Sequence, residues 1–160
     1  MKDDLICLDE DFEDLFVIPP KYFAEIKTSP LVSDGHLIFQ DKASVYGPRH
    51  LQAFNLQGAH VIDARAGCGT KIIELSQLVG PKGKVFAFEN RAGRLETLKA
   101  NIKLFGCKNV TIVEEDFNIA DTQALQFKKV SVVLLEPTNS GTAILDRLGF
   151  MLQEEGSQNS

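Results

Sequence analysis

From residue 59 onward, two rhythms of apolar positions alternate along the chain. Short apolar, β-branched runs at Val61-Ile62-Asp63, Lys84–Glu89, Val110–Glu114 and Val130–Leu135 predict strands. Between them the spacing is helical. Ile72, Leu75 and Val79 fall on one face of a helix over Lys71–Val79, which Gly80-Pro81 stops. Leu95, Leu98, Ile102 and Phe105 do the same over Arg91–Phe105, with Gly106 just beyond. A last helix is predicted over Thr142–Leu152. The run at Val130–Leu135 is almost continuously apolar, the pattern of a strand covered on both faces. Strands alternating with amphipathic helices imply right-handed βαβ units, hence an α/β fold with a parallel sheet and flanking helices.

The first 58 residues lack this regularity. Residues 1–30 are acidic and then interrupted by Pro19-Pro20 and Pro30, which predicts loop and short irregular structure. Asp34-Gly35 lies between two apolar runs, and glycine takes the positive φ of a primed turn, so a hairpin is expected there. A short helix is expected around Pro48–Phe54, with proline in its first turn.

A length of 160 residues suits one domain. It divides into an acidic segment (1–30), the α/β domain (31–152) and a polar tail (153–160). The composition is 44% hydrophobic, enough for a packed core. No apolar run approaches the roughly 18 residues of a membrane span, and Met1-Lys2-Asp3-Asp4 does not open a signal peptide. Cys7, Cys68 and Cys107 are scattered and odd in number, which disfavours disulfides and suits a reducing intracellular setting, nuclear or cytoplasmic. Together with His36, His50 and His60 they form no metal-binding spacing. The net charge of −5 argues against a stand-alone nucleic-acid binder. If the substrate is RNA, its phosphates must be gripped by a local patch or by parts outside these residues.

In doubly wound folds, ligands bind beyond the carboxyl ends of the strands. Four candidate groups stand there. The turn Asp63-Ala64-Arg65-Ala66-Gly67-Cys68-Gly69-Thr70-Lys71 lets the backbone approach a ligand closely and leads into a helix N-terminus with free N–H groups. It is neither a P-loop nor a full Gly-x-Gly-x-x-Gly. Glu89, about 20 residues beyond the glycines, suits two ribose hydroxyls. Asp116 can accept from an adenine amino group, and Glu136, followed by Pro137, can face a substrate base. Each has a bland alternative: a plain βα turn, a solvated strand-end acid, an N-cap, a capped turn. Acids at successive strand ends together with the glycine turn favour a cofactor carrying ribose and adenine. NAD and S-adenosylmethionine both qualify, and the glycine pair with Thr70 and Lys71 leans toward the latter.

These same words resemble those of the Nol/Nop/Sun (NSUN) family of RNA cytosine-5 methyltransferases, and of its divergent members in particular. Gln40-Asp41-Lys42-Ala43-Ser44 looks like the Gln-Asp-x-Ala-Ser segment that precedes the family's cofactor domain. Val61–Lys71 resembles the Asp-x-Cys-Ala-Ala-Pro-Gly-x-Lys loop, and Val85–Glu89 with Arg94 five residues on resembles the second motif. Glu115-Asp116-Phe117 resembles the third motif, and Leu134–Gly141 resembles Leu-Asp-Pro-x-Cys-Ser-Gly. The resemblance runs in order from about residue 30 to 145. It implies a Rossmann-like methyltransferase fold and S-adenosylmethionine held by Asp63, Arg65, Ala66, Gly67, Cys68, Gly69, Thr70, Lys71, Glu89, Arg94, Asp116 and Glu136. It also implies RNA as substrate. In the family, a cysteine thiolate adds to carbon six of cytosine, carbon five takes the methyl group, and a second cysteine helps release the product.

The departures bear on catalysis. Asn139 stands at the position of the product-releasing cysteine, and an amide cannot do its work. Glu136 replaces aspartate, a group that must be placed within a fraction of an ångström. Arg65, Gly67 and Cys68 replace Cys, Ala and Pro, so Cys68 reads as a small residue in a tight turn. The nucleophile's Thr-Cys-Ser and further strands of the family sheet would fall after Ser160. Two readings follow: part of an RNA cytosine-5 methyltransferase, inactive as this chain alone, or a cofactor-binding pseudoenzyme that acts as a partner-binding module. A third, an NAD-dependent Rossmann enzyme, lacks the third glycine and a catalytic dyad. The unprotected strand at 130–135 is further expected to invite self-association or a protein partner along its open edge.

Overall fold

The computed structural model describes residues 5–121 and 123–137. The core is a four-stranded parallel sheet, β3 (His60–Asp63), β4 (Lys84–Phe88), β5 (Val110–Val113) and β6 (Val130–Leu134), in the order β5-β4-β3-β6. Two helices, α4 (Thr70–Val79) and α5 (Ala92–Leu104), connect the first three strands. The pleat sends alternate residues to opposite faces. Val61, Val85 and Ala87 thus pack with Ile72, Leu75, Leu95 and Leu98 from the two helices. On the other face Ile62, Phe86 and Phe88 meet Phe127. The chain steps from β3 outward to β4 and β5, then returns to the far side of β3 as β6. A crevice therefore opens at the carboxyl end of β3, where the order reverses.

The four strands and both connecting helices stand where the hydrophobic spacing placed them, within a residue or two. The strand expected to be covered on both faces is different. In β6, Val130, Val132 and Leu134 are half-buried while Ser131 and Val133 are exposed, and the strand is the sheet's edge among the described residues. The helix expected over Thr142–Leu152 lies outside the described residues.

The N-terminal segment corrects three expectations. Residues before 30 are not irregular throughout: β1 (Cys7–Leu8) pairs antiparallel with β2 (Phe16–Val17), and α1 spans Pro20–Lys27, with proline at its first position. Asp34-Gly35 makes no hairpin. It closes the one-turn helix α2 (Pro30–Ser33), where Gly35 adopts φ 76°, its N–H donates to the Val32 carbonyl and the His36 N–H to that of Leu31. A left-handed glycine serves a helix C-cap as readily as a primed turn, and dipeptide chemistry does not distinguish them. The helix expected around Pro48–Phe54 begins earlier. In α3 (Lys42–His50), Asp41 is the N-cap and accepts from the Ala43 N–H, and Pro48 sits inside the helix.

The acidic residues at the β1–β2 turn are bound onto α3. Lys42 Nζ lies 2.8 Å from Asp9 and 2.6 Å from Asp11, which also accepts from the Tyr46 hydroxyl at 2.9 Å. Arg49 pairs with Asp14 at 2.7 Å and reaches back to Glu74 on α4. Lys42 holds the carboxyls of Asp9 and Asp11 below the usual carboxylate range, and Arg49 does the same for Asp14. This contribution to stability is present at neutral pH and disappears as pH falls below the ordinary carboxylate range. Arg49 is the link with most at stake, because Glu74 is largely buried. Replacing Arg49 by Met leaves that carboxylate without its cation. A loss of about 2 kcal/mol in denaturant unfolding is expected, with faster proteolysis at the β1–β2 turn. An unchanged midpoint and an unchanged cleavage rate would show that the latch carries no stability.

Candidate functional site

The turn from β3 to α4 is held by its neighbours on three sides. The Ala64 N–H donates to the Leu134 carbonyl of β6, and the Ala66 N–H to the Phe88 carbonyl of β4, each at 2.9 Å. Asn101 of α5 donates its side-chain amide to the Cys68 carbonyl at 2.8 Å. Inside the turn, Asp63 Oδ1 accepts from the Arg65 N–H at 3.0 Å. Gly69 caps α4 with φ 90°, and a Cβ there would come within 2.6 Å of Leu98 Cδ1, so glycine is required both by backbone angle and by space. Gly67 is also left-handed, with φ 59°, but a Cβ built there meets nothing within 4 Å. The turn thus presents open space next to the free N–H groups of the first turn of α4.

Carboxylates gather around this turn. Asp63 is buried and its Oδ2 has no hydrogen-bond partner. Burial raises its pKa to about 6; Lys71 opposes the rise, and Glu136 and Glu89 add to it. Glu89 is buried at the end of β4, and its Oε1 accepts from the N–H groups of both Asn90 and Arg91. Its Oε2 makes no bond among the described residues. A shallow cleft bounded by Arg65, Phe88, Glu89, Asp116 and Phe117 runs across the ends of β3, β4 and β5. Phe88 and Phe117 meet edge to face at its wall, with ring centroids 5.1 Å apart. Asp116 Oδ1 receives the N–H and the side-chain amide of Asn118, both at 2.9 Å.

Lys71, in the first turn of α4, crosses to Glu136 beyond β6, with Nζ 2.8 Å from Oε2. The structure therefore joins Asp63, Lys71, Glu89 and Glu136 into one electrostatic group and sets Asp116 along the same cleft. Ala66 and Gly69 are buried within the turn, Thr70 is half-buried, and Cys68 faces solvent with its carbonyl fixed. Arg94 is exposed on α5 and does not line the cleft. Asn139 lies outside the described residues. Sequence reasoning missed Asn101, whose distance from the turn along the chain hid its contact. It also missed the Lys71–Glu136 pair, although both residues had been singled out. The cleft combines aromatic walls and carboxylates, and the glycine turn with its helix N-terminus begins at its edge. That set suits a ligand carrying a cation, hydroxyls and an amino group. Among the described residues, no His, Cys, Asp and Glu cluster could hold a metal ion, and no helix is long and apolar enough to cross a membrane.

A family model described as 16S rRNA methyltransferase RsmB/F matches residues 52–152. The chain is 33% identical over 152 residues to the Schizosaccharomyces pombe protein named 25S rRNA (cytosine-C(5))-methyltransferase rcm1, covering 95% of this chain and 32% of that one. It is 33% identical over 159 residues to the Mus musculus 28S rRNA (cytosine-C(5))-methyltransferase, covering 98% of this chain and 32% of that one. The chain thus spans about a third of the length of these relatives. The solved structure of PH0851 shares the fold, with a TM-score of 0.77 and 24% identity over 96% of this chain and 34% of its own.

The raised pKa of Asp63 has a definite sign. The fold favours the protonated acid, so stability is intact below the unfolded pKa and falls as pH rises through about 6. Asp63→Asn keeps the acceptor for Arg65 and cannot ionise. Its stability relative to the parent chain should therefore climb between pH 4 and pH 7 by about 3 kcal/mol and then level off. Chemical denaturation of both proteins across that range measures this, and parallel curves would mean that Asp63 titrates normally.

Proposed function

From the premise that this chain belongs to the 16S rRNA methyltransferase RsmB/F family, we propose that it is the cofactor-binding part of an S-adenosylmethionine-dependent RNA cytosine-5 methyltransferase. The observation that carries this reading is the convergence of Asp63, Glu89 and Asp116 from three successive strand ends on the glycine turn before α4. The unpartnered Oδ2 of Asp63 and the unused Oε2 of Glu89 supply acceptors that a cofactor of this kind would fill. In this assignment Glu89 takes the ribose hydroxyls, Asp116 the adenine amino group, and the Arg65–Lys71 turn the amino-acid end. When bound, the cofactor supplies an electrophilic methyl group on a sulfonium centre. Negative charge from Asp63, Glu89 and Glu136 favours that cation in the site. Glu136 faces the target base, and Lys71 orients it through their ion pair. RNA as substrate is supported by the rRNA named for the two relatives, and it would place the protein in the nucleus or cytoplasm.

One observation favours a second reading, in which the cofactor is bound without turnover. Asn139 occupies the position matching the family's product-releasing cysteine, and an amide offers no thiol. Transfer of labelled methyl to cytosine-containing RNA by the full-length protein would overturn this second reading and leave the first standing.

The cofactor assignment is tested by calorimetry with S-adenosylhomocysteine. Losing a charge-assisted hydrogen bond costs about 1.5–3 kcal/mol, so Glu89→Ala should weaken binding about ten-fold or more. Glu89→Gln retains an acceptor for Asn90 and Arg91, and it should weaken binding without loosening the turn. NAD should not compete. Equal affinities across the three proteins, or a preference for NAD, would refute the assignment.

A further inference from the structure

A cavity of about 630 Å³ lies between the N-terminal segment and the outer side of α4, away from the cofactor cleft. No residue lines both. Its size falls within the range of small-molecule sites, roughly 300–1,000 Å³. Phe16, Phe23, Phe39 and Phe105 contribute aromatic walls, and Phe23 and Phe39 are in contact with ring centroids 4.9 Å apart. The charged residues around it are already paired with one another, Asp9 with Lys42, and Asp14 and Glu74 with Arg49. Apart from His36, which is exposed, an ionic ligand would find no unspent countercharge in this wall.

Gln40 is the exception. Its neighbours in the chain have structural work: Asp41 caps α3 and Lys42 holds the acidic turn. Gln40 itself lines the cavity, and its Nε2 is buried with no hydrogen-bond partner. Leaving such a donor unsatisfied costs about 1–3 kcal/mol. The terminal amide torsion is soft, so the group can reorient toward an acceptor. We propose that this cavity is a second ligand site, for a neutral planar heteroaromatic group whose carbonyl or ring nitrogen accepts from Gln40. The class follows from the walls. Flat aromatic surfaces favour a ring, the paired charges favour neutrality, and the free amide requires a polar edge. Thr70 belongs both to the cavity wall and to the glycine turn, so α4 is common to the two sites.

Two sources offer this chemistry, a free small molecule and an unpaired base of an RNA strand. Saturation-transfer NMR on the intact chain separates them. Uracil and nicotinamide serve as neutral probes, with orotate and nicotinate as their charged counterparts. The neutral probes should bind and the charged ones should not, and S-adenosylhomocysteine should not displace them. Gln40→Leu, which keeps the bulk and removes the donor, should weaken uracil about ten-fold. Val45→Trp, which fills the space, should abolish binding, with the circular dichroism melt confirming that each variant folds. A short single-stranded oligouridine that displaces uracil, when its abasic counterpart does not, assigns the site to RNA, and failure to displace assigns it to a free ligand. Equal binding of charged probes, indifference to Gln40→Leu in the folded variant, displacement by S-adenosylhomocysteine, or no binding of the neutral probes would each overturn the proposal. The cofactor assignment is read separately, from calorimetry on Glu89.

Discussion

The site depends on how the backbone between Asp63 and Gly69 is held. A turn this tight leaves its N–H and carbonyl groups without regular partners, and buried backbone groups must be paired. Here the partners come from β6, β4 and α5 at once, through Leu134, Phe88 and Asn101. The turn cannot shift without breaking bonds to elements on both sides of β3. That rigidity fixes the position of the helix N-terminus that follows the turn. It also sets Gly69 hard against Leu98, which ties the turn to the main hydrophobic core.

Electrostatics at this end of the sheet follow from crowding Asp63, Glu89 and Glu136 together near Lys71. Lys71 is committed to Glu136, so Asp63 feels it only at longer range and remains dominated by burial. Burial disfavours the charge on Asp63, and neither the Arg65 N–H nor Lys71 offsets that fully. The local cost is met by the dense packing on the two faces of β3 and β4.

The N-terminal segment obeys a different logic. Its many acids would repel one another as a free tail, yet Lys42, Tyr46 and Arg49 on α3 gather them into a latch. Through Arg49 and Glu74 the latch continues to α4. The result is a second layer over the helical side of the domain, with the aromatic cavity between the layers. Because Asp11 and Asp14 are exposed, their pairs are more sensitive to salt than the largely buried Arg49–Glu74 link or the sheet beneath.

The hydrophobic periodicity alone was enough to place the strands and helices of the sheet, since core burial imposes periods of two and 3.6 that no other arrangement satisfies. The same periodicity put the glycine turn, Glu89, Asp116 and Glu136 just beyond strand ends, where the structure has them. Other features depended on contacts remote in sequence. Gly35 could serve a hairpin or a helix cap, and only the packing of residues 30–37 chose. Asp9, Asp11 and Asp14 read only as part of an acidic, irregular segment, and α3 supplies their partners some 30 residues on. Asn101 and the Lys71–Glu136 pair join positions that the pattern leaves unrelated. Local propensity and periodicity are written into neighbouring residues, so the sequence by itself determined the elements and their order. The pairing of charges and the raised pKa of Asp63 arise from distances and burial across the fold, and only the tertiary structure decided those.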